Sequence, residues 1–183
     1  DGTLLNDHKE VTPGNQAAID EALDHGHKIV VCTGRPLASA GVCAHKAGLD
    51  KEGCYVICFN GGQIYDPYHK KTVYGKTFSK EIAAKIIEEA LKRGLHIQSY
   101  SDTHILSVRD TEELHKYAER NRLPYKIVEC AADVVPEDPY KLIAITPTNE
   151  REKNDLFQKE VISQYAREVH SFFSNDCYQE IVP

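Results

Sequence analysis

Short apolar runs alternate with helical patterns along the first part of the chain. The runs at 29–32 and 55–59 are continuous, which is typical of parallel strands buried on both faces. Residues 13–26 and 36–48 instead place small and apolar side chains at helical spacing, and Pro36 suits a first helical turn. This alternation predicts an α/β fold built on an open parallel sheet.

The hydrophobic pattern changes near residue 66, where Asp66 and Pro67 mark a turn. Two helix-plus-strand units follow, which predicts an α+β arrangement with its helices on one face of a sheet. Ser79 suits the cap of the first helix, and Gly94 suits its end. The predicted helices cover 79–93, 111–121 and a stretch from 149 or 150 to 161, and the predicted strands cover 95–100, 104–109, 140–145, 168–173 and 177–182.

Composition and charge narrow the class of protein. The chain has 183 residues and a net charge of −6, which argues against nonspecific nucleic-acid binding, because that needs basic patches. No apolar run approaches the ~18 residues of a transmembrane helix. No signal-peptide pattern is visible either, so we expect a cytoplasmic protein. The six cysteines lack the spacing of a zinc site, and we expect reduced thiols.

Candidate chemistry begins where the first strand ends. Thr33, Gly34 and Arg35 follow the run at 29–32, so a hydroxyl, a glycine turn and a guanidinium lie at the carboxyl end of a strand. Ligands bind at this edge of open α/β sheets, and helix N-termini favour phosphate. A plain strand-to-helix turn explains the same residues. The presence of Asp1 favours a binding or catalytic site over a plain turn. A strand–helix–strand unit of roughly 30 residues can place Asp1 and Thr33 at the ends of neighbouring strands.

Three motifs together resemble the haloacid dehalogenase superfamily of phosphohydrolases. They are Asp-Gly-Thr-Leu-Leu from Asp1, Thr-Gly-Arg-Pro from Thr33 and Phe-Asn-Gly-Gly-Gln-Ile from Phe59; the last resembles the Cof-type branch with its large B-type (class IIB) cap. The resemblance implies a Rossmann-like, doubly wound parallel-sheet core with an inserted α+β cap domain. Residues 1–65 would belong to the core, and residues 66–183 to the cap and the hinge that returns to the core.

The first motif implies that part of the enzyme lies outside this sequence. In the family it reads Asp-x-Asp-Gly-Thr, so Asp1 aligns with the second aspartate and the nucleophile would precede it by two positions. The motif lysine and the acidic metal ligands of a Gly-Asp-x-x-x-Asp motif would follow Pro183. We therefore expect an internal segment of a longer protein, bounded by methionines, since these 183 residues contain none.

The resemblance implies a Mg²⁺-dependent phosphomonoester hydrolase that forms an aspartyl-phosphate. Asp1 would act as general acid and then as general base, and its backbone carbonyl would bind Mg²⁺. Arg35 would contact the substrate or the cap, although a surface ion pair fits this residue equally well. The residues implied to bind phosphate or border the site are Thr33, Gly34, Arg35, Asn60 and Gly61.

The cap and the substrate are less defined. Asp102, His104 and Lys141 are polar candidates to face a substrate, Glu180 lies at the return hinge by the family match, and each also fits an ordinary surface or sheet residue. The Cof-type branch implies a small phosphorylated substrate, above all a sugar phosphate. We expect no nucleic-acid or membrane partner, and a monomer or homodimer. Two alternatives stay open: a hexose phosphomutase, and a phosphate-binding module without catalysis.

Overall fold

The computed structural model describes residues 4–6, 8 and 10–183, in two compact units. The first unit ends at Gly75 and the second begins at Lys76. This division falls later than the change of pattern near residue 66, because the chain first completes a hairpin. The assignment of the two units to a core and a cap stays a prediction.

The first unit contains one mixed sheet. Its order is β1-β2-β3-β4, with β1 parallel to β2 and the remaining pairs antiparallel. Thr12 begins the first helix by accepting a hydrogen bond from the N–H of Asn15 at 3.3 Å. The predicted helices and strands of this unit are confirmed. The elements are α1 Pro13–Asp24, β1 Ile29–Cys32, α2 Leu37–Lys46, β2 Cys54–Cys58, β3 Gln63–Asp66 and β4 Lys71–Gly75.

Strand β1 is only partly buried within the described part of the chain. Val30 is 45% exposed and Cys32 is also exposed, whereas Val56 in β2 is fully buried. β1 is the edge strand of the four-stranded sheet, so within the described part of the chain it has a neighbouring strand on one side only. The burial of β1 on both faces in the complete protein stays a prediction.

The second unit contains a six-stranded sheet in the order β7-β6-β5-β8-β10-β9. Ser79 caps the first helix as predicted and accepts hydrogen bonds from the N–H groups of Glu81 and Ile82. No helix in the described ranges is long and apolar enough to cross a bilayer. The elements are α3 Lys80–Lys92, β5 His96–Tyr100, β6 Ile105–Ser107, α4 Glu112–Asn121, β7 Tyr125–Ile127, α5 Ala131–Val134, β8 Leu142–Ile145, α6 Arg151–Glu160, β9 His170–Phe173 and β10 Tyr178–Val182.

The hydrophobic core of the second unit lies on one face of this sheet. Helices α3, α5 and α6 supply Ile86, Ile87, Val134 and Phe157, and all four side chains are fully buried. The strands supply Ile97, Leu142, Ala144 and Ile181. These side chains alternate along their strands with residues that point to the other face.

Helix α4 packs against that other face, contrary to the prediction of helices on one face. His96 and Tyr100 flank the core residue Ile97 in β5 and point away from the core. Thr111 of the α4 cap bonds His96 at 3.0 Å, and the hydroxyls of Tyr117 and Tyr100 are 2.7 Å apart. The apolar spacing of α4 predicts a buried side, but not which face of the sheet that side meets.

The two ends of the second unit meet at the same strand. The N–H of Phe78 donates to the carbonyl of Pro139 at 3.3 Å, shortly before β8 begins. Ile181, near the end of β10, is paired with Leu142 at the start of β8. The segments that begin and end this unit therefore lie beside one end of β8.

Candidate active site

The candidate site lies at the carboxyl ends of β1 and β2. These strands are parallel and in register, with Cys32 opposite Ile57, so the loops that follow them leave the sheet side by side. The N–H of Thr33 still donates to the carbonyl of Ile57 at 2.9 Å, which extends the ladder to the first residue of the turn. This is the sheet edge at which the sequence predicts the phosphate site.

The turn from Thr33 to Arg35 is fixed by its own side chains. The Thr33 hydroxyl accepts a hydrogen bond from the N–H of Arg35 at 3.2 Å. The Arg35 guanidinium reaches the hydroxyl of the buried Ser39 at 3.5 Å, along the first turn of α2. Pro36 at the N-terminus of α2 has no side chain that caps the helix. The positive end of the helix dipole therefore adjoins the turn.

The loop after β2 adopts a strained backbone. Phe59, Asn60 and Gly61 have φ angles of 50°, 58° and 99°, and residues other than glycine rarely adopt this positive-φ region. The N–H of Phe59 donates to the Arg35 carbonyl at 3.0 Å, and the N–H of Asn60 donates to the Thr33 carbonyl at 3.4 Å. The two loops are thus joined by their backbones on both sides of Gly34.

The Asn60 side chain lies in the space that a side chain at position 34 would fill. A Cβ atom on Gly34 would lie 2.9 Å from Asn60 Nδ2 and 3.3 Å from Asn60 Cγ. The structure therefore brings together four of the predicted residues, Thr33, Gly34, Arg35 and Asn60, with Gly61 in the same loop. Asp1 lies outside the described residues. The sequence indicated this proximity, but not the backbone strain or the contact between the amide and the glycine.

A cavity of about 400 Å³ adjoins the turn. Thr33 and Arg35 line it at the carboxyl end of β1, and the remaining walls are apolar. Those walls come from the start of the described chain, α1, β1 and α2: Leu4, Leu5, Ile19, Ile29, Val30, Val31, Cys32, Ala40, Cys43 and Ala44. Among the described residues that line the cavity, the polar groups are those of Thr33 and Arg35 at the turn.

The described residues do not by themselves form a metal site. Within residues 4–6, 8 and 10–183, no group of three or more histidine, cysteine, aspartate or glutamate side chains is placed to hold an ion. The predicted Mg²⁺ ligand, the backbone carbonyl of Asp1, falls outside these ranges. All six cysteines are free, and none of them belongs to such a group.

The polar candidates of the second unit occupy different environments. Lys141 is 2% exposed, and its ammonium lies 2.9 Å from the Glu180 carboxylate, which also accepts from the Ser174 hydroxyl at 2.9 Å. Glu180 lies inside β10, and its place at a return hinge stays a prediction. Asp102 is exposed in the loop after β5, with His104 at the end of the same loop. The sequence did not predict the Lys141–Glu180 pair, because its partners are distant along the chain.

Comparison with known sequences establishes the family. The profile of the haloacid dehalogenase-like hydrolases matches residues 1–183. The chain belongs to this family, and the resemblance drawn from the three motifs is confirmed.

Individual relatives agree with this result. YxeH of Bacillus subtilis (strain 168) is 29% identical over 167 residues, which are 84% of this chain and 62% of that protein. The 5-amino-6-(5-phospho-D-ribitylamino)uracil phosphatase YwtE of the same organism is 34% identical over 117 residues, or 63% of this chain and 38% of that protein. The chain thus spans less than two thirds of either relative.

A solved structure shows the same fold. The crystal structure of a haloacid dehalogenase-like hydrolase from Bacteroides thetaiotaomicron superposes with a TM-score of 0.87 at 20% identity. The match covers 98% of this chain and 67% of that chain. The predicted α/β fold is therefore confirmed.

Proposed function

We propose that the chain is part of a phosphomonoester hydrolase that acts on small metabolites, above all sugar phosphates. One observation carries this proposal: the turn at Thr33–Arg35 and the loop at Phe59–Gly61 meet at the carboxyl ends of two parallel strands, beside the N-terminus of α2. That arrangement suits a phosphate dianion, because helix N-termini and turn N–H groups favour negative charge. Membership of the hydrolase family supports the same reaction.

In the proposed reaction Thr33 and the Gly34 N–H hold the phosphate, and Arg35 adds positive charge beside it. Asp1 first protonates the leaving alcohol and then takes a proton from the hydrolytic water. The nucleophile is an aspartate outside this sequence, and the reaction passes through an aspartyl-phosphate. Mg²⁺ would neutralise phosphate charge when bound, and its ligands would include the Asp1 carbonyl together with residues outside the chain.

The substrate class rests on the relatives and on the second unit. YwtE is named for a phosphate ester of a ribityl compound, which is a small polyhydroxylated phosphate. We propose that the second unit is the cap, and that it selects the leaving group of substrates of this type. Exclusion of water over the phosphate would be the other contribution of such a cap.

The test is phosphate release from a panel of sugar phosphates by the complete natural protein, with and without Mg²⁺. We expect Mg²⁺-dependent release that collapses in the Asp1→Asn variant. Thr33→Val removes a hydroxyl proposed to contact the phosphate, so kcat/KM should fall by about 10²–10³-fold, as when a positioned donor is lost. Thr148→Val, at an exposed threonine of the second unit, is the matched control and should retain activity.

The alternatives give different products. A hexose phosphomutase would convert one sugar phosphate into another with little free phosphate, and a binding module would bind phosphate without turnover. Equal activity in Thr33→Val and in the natural protein would contradict the proposed phosphate site.

A further inference from the structure

We infer that Asn60 is a positioning residue for the phosphate turn, and that Gly34 is required chiefly because the Asn60 amide packs against it. This inference rests on the proposed function for its catalytic readout. It is carried by three features of the first unit: the strained loop at Phe59–Gly61, the backbone bonds between the two loops, and the close approach of the Asn60 side chain to Gly34.

The backbone bonds orient the turn. The Asn60 N–H holds the carbonyl of Thr33, and the Phe59 N–H holds the carbonyl of Arg35. Because a trans peptide places its C=O and N–H in opposite directions, a Thr33 carbonyl directed at Asn60 turns the Gly34 N–H away from that loop. Both bonds also engage carbonyl oxygens, whose negative charge would otherwise repel an anion.

The loop at Phe59–Gly61 makes the two backbone hydrogen bonds to the turn in a strained backbone conformation. Two successive residues other than glycine, Phe59 and Asn60, have positive φ, and such residues persist only where their surroundings hold them. Asparagine tolerates this region better than most residues. The Asn60 amide also lies in the space that a side chain at position 34 would fill, so the strained loop and the turn approach each other closely at this point.

The close contact makes Gly34 and Asn60 interdependent. Gly34 has no positive φ, so alanine is compatible with its backbone, and the obstacle to alanine is the Asn60 amide 2.9 Å from the new Cβ. Glycine at position 60 would remove that obstacle and would keep the positive φ without strain. The two substitutions should therefore offset each other in part.

The experiment is a double-mutant cycle in the complete natural protein with Gly34→Ala, Asn60→Gly and the two combined. The readouts are kcat and KM for a phosphomonoester and the affinity for inorganic phosphate. Gly34→Ala should lower kcat/KM by about 10²-fold, the loss typical of displaced catalytic groups. Asn60→Gly should lower it less, and the combined variant should exceed Gly34→Ala alone by several-fold.

Lys70→Gly is the matched control, since Lys70 also has positive φ (51°) and is exposed in the turn between β3 and β4. It should leave all constants unchanged. If the losses of the two single variants simply multiply in the combined variant, Asn60 and Gly34 are not coupled and the inference is overturned. A merely structural role would lower the unfolding midpoint of each variant without changing kcat or phosphate affinity, and this result would also overturn it.

The experiment distinguishes failure of the proposed hydrolase function from failure of the positioning role of Asn60. If the natural protein hydrolyses no phosphomonoester, the cycle is measured by inorganic phosphate binding alone, and the same rescue supports the positioning role. Absence of phosphate binding in the natural protein overturns both the phosphate site and the role of Asn60.

Discussion

Lys141 illustrates what a single residue contributes when its charge is buried. Its ammonium and the Glu180 carboxylate are 2.9 Å apart, with side chains 1% and 7% exposed, and the ring of Tyr100 lies 5.8 Å from the ammonium. Burial raises the pKa of Tyr100 well above its ordinary value, and the neighbouring Tyr117 adds to the effect. A group in such surroundings depends on its partner far more than a surface charge does.

Loss of one partner should therefore cost much more than loss of both. We expect Lys141→Met to lower the free energy of unfolding by about 3–5 kcal/mol, because it leaves the Glu180 carboxylate buried without a counter-charge. The double variant Lys141→Met with Glu180→Leu should recover most of that loss. Urea unfolding of the three proteins measures both effects.

Lys92 supplies the matched control. It pairs with Glu89 at 2.8 Å in α3, but 67% of its side chain is exposed. Lys92→Met should change the free energy of unfolding far less than Lys141→Met does, because the Lys92 ammonium is solvated with or without its partner. Similar losses for Lys92→Met and Lys141→Met would show that burial does not set the strength of these pairs.

At the scale of elements, one histidine links β5 to α4. Nδ1 of His96 lies 3.0 Å from the hydroxyl of Thr111, which also accepts the N–H of Leu114 and so caps α4. Nε2 of His96 lies 2.9 Å from the side-chain oxygen of Gln98. With the Thr111 hydroxyl donating to Nδ1, a neutral imidazole satisfies both contacts. Burial lowers the pKa of His96 below its ordinary value of 6.5, and the Gln98 contact opposes this only in part.

This depressed pKa predicts an acid-sensitive link. Below pH 6.5 the unfolded chain binds a proton at His96 more readily than the folded protein does, so the free energy of unfolding falls as the pH decreases. The stability advantage of the natural protein over His96→Gln should therefore shrink between pH 7 and pH 5. A constant difference for His96→Gln would show that its titration is not coupled to folding.

The helices and strands also show which features of the fold can be predicted from the sequence. Ser79 was identifiable as a cap because hydroxyl residues satisfy the first N–H groups of a helix, and α3 begins directly after it. The strand β7 and the four-residue helix α5 were not predicted, since three or four residues carry too little periodicity. The face on which α4 packs depends on the crossover between parallel strands, which no local pattern encodes.

The candidate site also has some features that the sequence predicts and others that it does not. The positions of Thr33 and Asn60 were predictable, because strand ends and glycine turns are local signals. The contact between the Asn60 amide and Gly34 was not, because it depends on how two loops from different strands approach each other.

At the scale of the whole molecule, the second unit has a hydrophobic core of its own. Ile87 of α3 is fully buried in this core among side chains that all come from the same unit. Ile87→Ala should lower the free energy of unfolding by about 2–5 kcal/mol, because it removes buried methyl groups and leaves a cavity. Hydrogen exchange should then accelerate across α3, β5 and β8, which pack together, while β1 and β2 keep their protection.

Leu156→Ala is the control for that experiment. Leu156 lies in α6 of the same unit but is 54% exposed, so the change should stay within about 0.5 kcal/mol. Equal acceleration of exchange in both units after Ile87→Ala would contradict separate cores.

The position of Phe78 and Ile181 beside β8 has a consequence for how the second unit opens. Two segments that are fastened by backbone hydrogen bonds at one end of a strand stay in place while that end of the strand is intact, and local opening there releases both. The pairing of Ile181 with Leu142 and the bond from Phe78 to Pro139 thus tie the fraying of both segments to the stability of β8 and the residues just before it.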